Sequence, residues 1–136
     1  MVDLVYKDAC YAIVGACMAV HRNLGNGFLE SVYAEALGKE FKKRNIPFIK
    51  EKKLELYYDG EKMNKYFKAD FICFESIIVE LKSKTILLKI DEQQTINYLK
   101  ATNYQLGLLI NFGEKSLRYK RFVNTDRKEI KEYHNS

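Results

Sequence analysis

Two short apolar runs in the middle of the chain constrain its fold more than any other feature. They span residues 70–73 and 77–82 and are separated by three residues. Both are rich in β-branched and aromatic residues, and their nearly continuous apolar character predicts strands that are covered on both faces. Yet the runs contain Asp70, Glu80 and Lys82. Because charged side chains are rarely buried unless they are paired or bind a metal, this conflict between pattern and polarity indicates a functional site.

The length of the loop between the two runs decides where these charges lie. A three-residue loop at 74–76 sets Asp70 opposite Glu80, and Lys82 lies on the same face as Glu80 because side chains alternate along a strand. A two-residue loop sets Asp70 opposite Leu81 and turns its side chain away. The functional interpretation therefore requires a loop of odd length, or a bulge with the same effect.

Composition favours a globular α/β protein. The 136 residues are 47% hydrophobic and 30% charged, which suits a single core, so we expect one domain over residues 1–136. The net charge of +5 permits a polyanionic partner such as nucleic acid, although solvated surface lysines explain the charge equally well.

The cysteines and the apolar run near the start of the chain bear on where the protein works. Cys10, Cys17 and Cys73 all lie in apolar runs, and no CxxC pair is present. We therefore expect buried, reduced thiols and a cytoplasmic location. The apolar run 9–20 is too short to span a bilayer, so we interpret it as a core helix and expect no association with a membrane.

Hydrophobic periodicity predicts the element order α, α, β, β, β, α, β, β, which is typical of an α/β arrangement with a mixed sheet. The pair Asp59-Gly60 predicts a hairpin turn between the first two strands. We expect the polar tail from Asn124 to fray or to add a short helix. The predicted helices span about 4–24, 28–44 and 90–102, and the predicted strands span about 48–58, 64–73, 77–82, 105–112 and 116–123.

The acids and the lysine of the two central strands suit metal-assisted hydrolysis of a phosphodiester bond. Magnesium usually takes one or two carboxylates together with waters and phosphate oxygens, and Asp70 and Glu80 supply such ligands for Mg²⁺ or Mn²⁺. The metal would activate a water and stabilise charge on the phosphate, and Lys82 could orient that water. Other chemistries have less support, because the sequence contains no P-loop, GxSxG elbow or zinc-type Cys/His grouping.

Three polar residues on the predicted helices could join this site. Glu30 falls on or beside the apolar arc of the second helix and could be a further metal ligand, although the helix dipole also favours a glutamate in a first turn. Gln94 and Tyr98 are i and i+4 neighbours on the third helix. They could hold the scissile phosphate or order Lys82, or they could form an ordinary hydrogen-bonded polar spot.

Several blocks of sequence occur in a familiar order and spacing. The segment GFLESVY at 27–33 lies within HRNLGNGFLESVYAEAL, and KADFICFESIIVELKS and QTINYLKATNYQLGLLINFG follow. Over residues 12–123 the chain resembles the GxxExxY family of the PD-(D/E)XK nuclease superfamily. The resemblance implies a restriction-endonuclease-like αβββαβ core, with a mixed central sheet flanked by helices.

The resemblance also implies roles for individual residues. It assigns Asp70, Glu80 and Lys82 to the superfamily's acid and acid-x-lysine signature, and Glu30 to the acid on the helix before the sheet. Residues 94–98, QTINY, resemble the QxxxY motif of the RecB-like branch.

Two positions depart from the family pattern. Ala69 stands in place of the proline before the first aspartate, which is chemically harmless. Asp91 stands where the family often carries a histidine, so any role of that histidine in binding phosphate or metal does not carry over to this chain.

Three functional hypotheses follow from the sequence. The leading one is a metal-dependent nuclease that hydrolyses phosphodiester bonds in nucleic acid, with DNA favoured over RNA. Since no separate clamping domain is expected, a homodimer or another partner would supply further grip. The alternative is a catalytically inert nucleic-acid- or protein-binding module that keeps the fold. The third is a structural subunit in which the acids form salt bridges with Lys82 and Lys68.

Overall fold

The computed structural model describes residues 6–124 and 130–134, with side chains for 6–124. Within these residues the chain forms three helices and six strands. In chain order they are α1 (Lys7–Leu24), α2 (Glu30–Lys43), β1 (Phe48–Tyr58), β2 (Glu61–Cys73), β3 (Ile77–Lys82), α3 (Lys89–Thr102), β4 (Leu106–Asn111), β5 (Arg118–Asn124) and β6 (Ile130–His134).

All six strands belong to one mixed sheet, in which their spatial order is the same as their order in the chain. Strands β3 and β4 are parallel, and the other neighbouring strands are antiparallel. Parallel neighbours need a crossover connection, and α3 lies in that connection. The predicted α/β architecture with a mixed sheet flanked by helices is therefore confirmed.

The helices cover both faces of the sheet. Helices α1 and α2 pack on one face through residues such as Ile13, Tyr33 and Leu37, and α3 packs on the other face through Leu99. Strand β4 is buried along its whole length, and β3 is buried up to Leu81. The continuous apolar runs predicted this double coverage correctly, and each fully buried aliphatic side chain contributes about 1.5–3 kcal/mol.

The described boundaries of the elements agree with the sequence pattern to within three residues, except at the end of the chain. Strand β1 has its predicted bounds, and β2 begins at Glu61, three residues earlier than expected. The prediction of a frayed or helical tail is wrong for residues 130–134, which form β6 and pair with β5. A short polar strand at a sheet edge has few apolar residues to signal it. The predicted helix start at residue 4 lies outside the described residues.

Strand β2 changes the face that it buries at Asp70. Phe67 and Ala69 pack in the cluster of α3, whereas Phe71 packs in the cluster of α1 and α2. Across from Asp70, Glu51 of β1 has φ 55°, in the left-handed region that a non-glycine residue adopts at a cost of roughly 1–3 kcal/mol. This twist separates the inner part of the β1–β2 hairpin from an outer part, residues 53–68, which we call the outer arm.

The three cysteines are buried and free, as the sequence predicted. Burial raises the pKa of the Cys73 thiol to about 12, so this residue stays protonated and is a poor nucleophile. Among residues 6–124 and 130–134, no helix is both long enough and apolar enough to cross a bilayer.

Candidate active site

The loop between β2 and β3 has the length that the functional interpretation requires. Cys73 pairs with Ile77, which leaves three residues, 74–76, in the loop. The ladder of paired residues ends at Phe71 and Val79, one step before Asp70 and Glu80. The two acids are therefore opposite each other at the point where the strands stop pairing.

Asp70 and Glu80 replace the missing ladder bonds with their side chains. Glu80 Oε1 accepts a hydrogen bond from the Asp70 backbone N–H at 3.0 Å. Asp70 Oδ2 accepts one from the Leu81 backbone N–H at 2.8 Å. This reciprocal arrangement holds both carboxylates at the junction of the two strands, so backbone geometry fixes their positions.

The raised pKa values of both acids show that ionisation of the pair is unfavourable. Burial, and then the charge of Asp70, raises the pKa of Glu80 to about 8. Burial also raises the pKa of Asp70, against the opposing effects of the Leu81 N–H and of Lys82. Two desolvated carboxylates that repel each other bind either a proton or a cation, which is typical of catalytic acids and of metal ligands.

Glu30 is the first residue of α2 and lies at the rim of this pair. We expected Glu30 to lie on or beside the buried face of α2. Its side chain is exposed, so it lies beside that face and not on it. Partial desolvation raises the pKa of Glu30, Lys82 opposes this shift, and the charges of Asp70 and Asp91 add to it. These electrostatic effects place Glu30 near the site.

Tyr33 explains how the turn before Glu30 is held. Its hydroxyl donates to the Gly25 carbonyl at 2.5 Å and accepts from the Phe28 N–H at 3.3 Å. The Tyr33 ring is fully buried and stacks on Phe112, with ring centroids 4.6 Å apart. One tyrosine therefore fixes the glycine-rich turn from which α2, and with it Glu30, begins.

Lys82 and the two predicted residues of α3 come together beside the acids. Lys82 Nζ donates to Gln94 Oε1 at 3.4 Å. The Tyr98 ring stacks on Phe67 with centroids 3.5 Å apart. Burial, followed by the charge of Glu80, raises the pKa of Tyr98, whereas a hydrogen bond with Gln94 lowers it. The structure thus assembles Lys82, Gln94 and Tyr98 around Glu80.

A second acid–lysine pair adjoins the site, and the sequence interpretation missed it. Asp91 is 6% exposed and accepts from Lys84 Nζ at 2.8 and 3.1 Å and from the Leu88 N–H at 2.8 Å. Burial acts to raise the pKa of Asp91, but the bonds from Lys84 and Leu88 outweigh it and the pKa is lowered. An acid in the first turn of a predicted helix was the available signal, since it can cap the free N–H groups there.

The loop after β3 is held by side chains that form hydrogen bonds with backbone groups. Asn111 accepts from the Lys84 N–H at 2.9 Å and donates to the Lys84 carbonyl at 2.9 Å. A Cβ on Gly113 would lie 2.2 Å from that carbonyl oxygen, so only glycine permits this approach. Ser83 Oγ donates to the Phe28 carbonyl at 2.5 Å and joins the loop to the turn before α2.

The donor set fits a hard divalent cation in part. The carboxylate oxygens of Asp70 and Glu80 are suitable ligands, and a cation would relieve their mutual repulsion. Within the described part of the chain, no three or more His, Cys, Asp or Glu side chains form a ready metal cluster. Glu30 is thus not joined to Asp70 and Glu80 in one cluster, and its role as a third ligand stays a prediction.

The sequence matches the PD-(D/E)XK nuclease superfamily over residues 7–122, which is most of the chain. Comparisons with curated proteins and with solved structures found no match. Nucleases of this superfamily generally use divalent metals and act on nucleic acid. Membership indicates nuclease activity, and the site described above lies inside the matched region. The chain therefore belongs to the PD-(D/E)XK nuclease superfamily.

Proposed function

We propose that the protein is a divalent-metal-dependent nuclease that hydrolyses phosphodiester bonds in DNA. The observation that carries the proposal is the reciprocal bonding of Asp70 and Glu80 at the point where β2 and β3 separate. In a chain of this superfamily, we assign that pair to metal binding. The motif residues Gly27, Glu30 and Tyr33 support assignment to the GxxExxY family, and the buried free thiols are compatible with a cytoplasmic location.

In this proposal Asp70 and Glu80 hold Mg²⁺ or Mn²⁺, and Glu30 contributes directly or through a water. A bound cation would lower the pKa of a water and stabilise negative charge on the phosphate. With its pKa near 8, Glu80 holds a proton at neutral pH in the metal-free protein and releases it when a cation binds. Metal affinity should therefore increase as the pH rises through about 8.

Lys82, Gln94 and Tyr98 act on the substrate in this proposal. Lys82 orients the attacking water or stabilises charge that develops on the phosphate. Gln94 accepts a hydrogen bond from Lys82 and so limits where the amine can point. Tyr98, which stacks on Phe67 and is influenced by the charge of Glu80, positions the substrate in this proposal.

Cleavage assays on Glu80→Gln test the proposal directly. Plasmid DNA and circular single-stranded DNA are incubated with Mn²⁺ and the wild type, Glu80→Gln or the control Glu75→Gln. Glu75 is an exposed acid in the loop at the other end of the same hairpin. We expect Glu80→Gln to lose at least ~10²-fold in rate while the control keeps its activity. A fully active Glu80→Gln protein would contradict the proposal.

Calorimetric titration with Mn²⁺ provides the second readout. We expect about one or two ions to bind the wild type and none to bind a folded Glu80→Gln protein, with thermal melts as the folding control. The alternative of an inert nucleic-acid- or protein-binding module draws on the lack of a ready three-ligand cluster among the described residues. Salt-sensitive DNA binding that EDTA leaves unchanged, with no cleavage, would favour that module.

A further inference from the structure

The two faces of the outer arm have opposite character. On one face Leu54 and Phe67 are buried against α3, and Tyr98 stacks on Phe67. Side chains alternate along a strand, so the neighbours of these residues point to the other face. There Lys53, Tyr66 and Lys68 are exposed. The second face is therefore presented to solvent, on the side of the hairpin that is turned away from α3.

Two lysines face each other across this exposed surface. Lys53 and Lys68 are direct cross-strand partners. Like charges in that position destabilise a sheet, since the Cβ atoms are only about 5 Å apart. Among residues 6–124 neither lysine forms an ion pair. An anion that bound between the two amines would relieve the repulsion, and a phosphate group has the required charge.

The ring of Tyr66 lies beside the lysine pair, and the ring of Tyr57 lies further out on β1. Tyr66 and Tyr57 are each 49% exposed, and Lys53 Nζ lies 4.1 Å from the centroid of the Tyr66 ring. The carboxylate of Glu55, on the same face, already has two partners. Lys62 Nζ forms an ion pair with it at 3.0 Å, and the Tyr57 hydroxyl donates a hydrogen bond to it at 3.1 Å. The surface thus offers cations for phosphates and half-exposed rings for flat apolar groups.

Along β2, Lys68 is the residue of this surface that lies nearest to the candidate active site. It precedes Asp70 by two residues on the same strand, a separation of about 7 Å. Lys50, on β1, lies near enough to Asp70 for its charge to lower the pKa of that acid. Because β2 changes the face that it buries at Asp70, Lys68 and Asp70 point to opposite faces, so a nucleic-acid strand bound along the outer arm passes from one face to the other at this twist to reach the site.

We infer that the exposed face of the outer arm binds a single-stranded segment of nucleic acid adjoining the scissile phosphate. This inference rests on the proposed nuclease function and names its substrate class. Lys53 and Lys68 bind backbone phosphate, and Tyr57 and Tyr66 stack on bases. Stacking of this kind needs unpaired bases, because the faces of paired bases are covered inside a duplex.

Fluorescence anisotropy with a labelled 15-nucleotide oligothymidine, in EDTA, tests the inference without cleavage. Tyr57→Ala/Tyr66→Ala should weaken binding by at least about fivefold, whereas Tyr57→Phe/Tyr66→Phe should bind like the wild type because the rings remain. Tyr11→Ala is the matched control, since Tyr11 is 84% exposed and lies on α1. Thermal melts verify that each variant is folded.

The lysine pair has its own readout. For single strands each phosphate contact contributes roughly 0.7 to the slope of log K against log salt, so Lys53→Gln/Lys68→Gln should lower the slope by roughly 1.4. The inference would be overturned if oligothymidine bound equally well to the wild type, to Tyr57→Ala/Tyr66→Ala and to Lys53→Gln/Lys68→Gln. Tighter binding of a duplex of equal length, unaffected by loss of the tyrosine rings, would overturn the assignment to single strands.

The same assays distinguish failure of this inference from failure of the nuclease proposal. Oligothymidine binding that depends on the arm, in a protein that never cleaves DNA, would reject the nuclease and support the arm. Cleavage that depends on Glu80, with binding indifferent to the arm variants, would reject the arm and support the nuclease.

Discussion

Glu80 and Asp91 are buried to nearly the same degree, 9% and 6% exposed, yet their pKa values shift in opposite directions. Asp91 has an ion pair with Lys84 at 2.8 Å and a backbone N–H as further donor. Glu80 has one backbone N–H and a neighbouring carboxylate, Asp70. Burial alone therefore does not decide the charge of an acid; its partners do.

The comparison also separates structure from chemistry within one small region. Asp91 already has its cation and fastens Lys84 and the start of α3. Among residues 6–124 neither Glu80 nor Asp70 forms an ion pair, since the ion contact of Lys82 is with Asp91, at 4.0 Å. We interpret the first pair as structural and the second as a site that takes a proton or a metal from solution.

The largest expected effect is the pH dependence of stability in metal-free protein. The pKa of Glu80 rises from 4.5 to about 8 on folding, so its contribution to stability is full below pH 4.5 and is lost as the pH rises through about 8. Asp70, Glu30 and Lys82 face Glu80, and the raised pKa values of the two acids act in the same direction. The free energy of unfolding, measured with urea, should be roughly 2–5 kcal/mol lower at pH 8.5 than at pH 5.

Two controls sharpen this first prediction. Glu80→Gln keeps an oxygen that can accept from the Asp70 N–H but never ionises, so most of the pH dependence should vanish. Mn²⁺ at one hundred times its Kd should restore about 2.7 kcal/mol to the wild type at pH 8.5. A wild type that is as stable at pH 8.5 as at pH 5 would contradict the claim that ionisation of the buried acid pair destabilises the folded protein.

Sequence reasoning succeeded for Asp70 and Glu80 because their placement depends on local rules. Strand alternation and the length of one loop fix the register, and the structure has that register. It failed for Asp91 and Lys84, whose pairing depends on how the loop after β3 folds back. Asn111, far along the chain, holds that loop through Lys84, and such a contact has no sequence period. The edge strand β6 was missed for a related reason, since partner pairing rather than apolar pattern defines it.

The second prediction concerns Asp91→Asn, which should destabilise the protein by roughly 1–3 kcal/mol at pH 7. The change leaves Lys84 without its anion, and the exposure of Lys84, about a third, keeps the cost below that of a fully buried pair. Because folding lowers the pKa of Asp91, its contribution is present above about pH 4 and is lost as the pH falls further. Urea unfolding against pH measures this, and Glu80→Gln, changed in the same way, should be neutral or stabilising. Equal destabilisation by both variants would remove the distinction between the two pairs.

The smallest expected effect on stability belongs to Lys82→Met. Lys82 lies between the acid pair and the Asp91–Lys84 pair and binds neither tightly. Its contacts are Gln94 at 3.4 Å and Asp91 at 4.0 Å, so its loss should cost below ~1 kcal/mol in urea unfolding at pH 7. Its positive charge lowers the pKa of Glu80, so that pKa should rise above its wild-type value of about 8 in titrations followed by carboxyl NMR signals. Lys100→Met, which changes an exposed lysine on α3, is the matched control.

If the acids served only to form structural salt bridges with Lys82, the Lys82→Met variant would instead lose about 3–5 kcal/mol of stability, as breaking a buried pair does. A folded Lys82→Met protein that no longer cleaves DNA would place the lysine in the chemistry of the site and leave Asp91 and Lys84 to hold the structure.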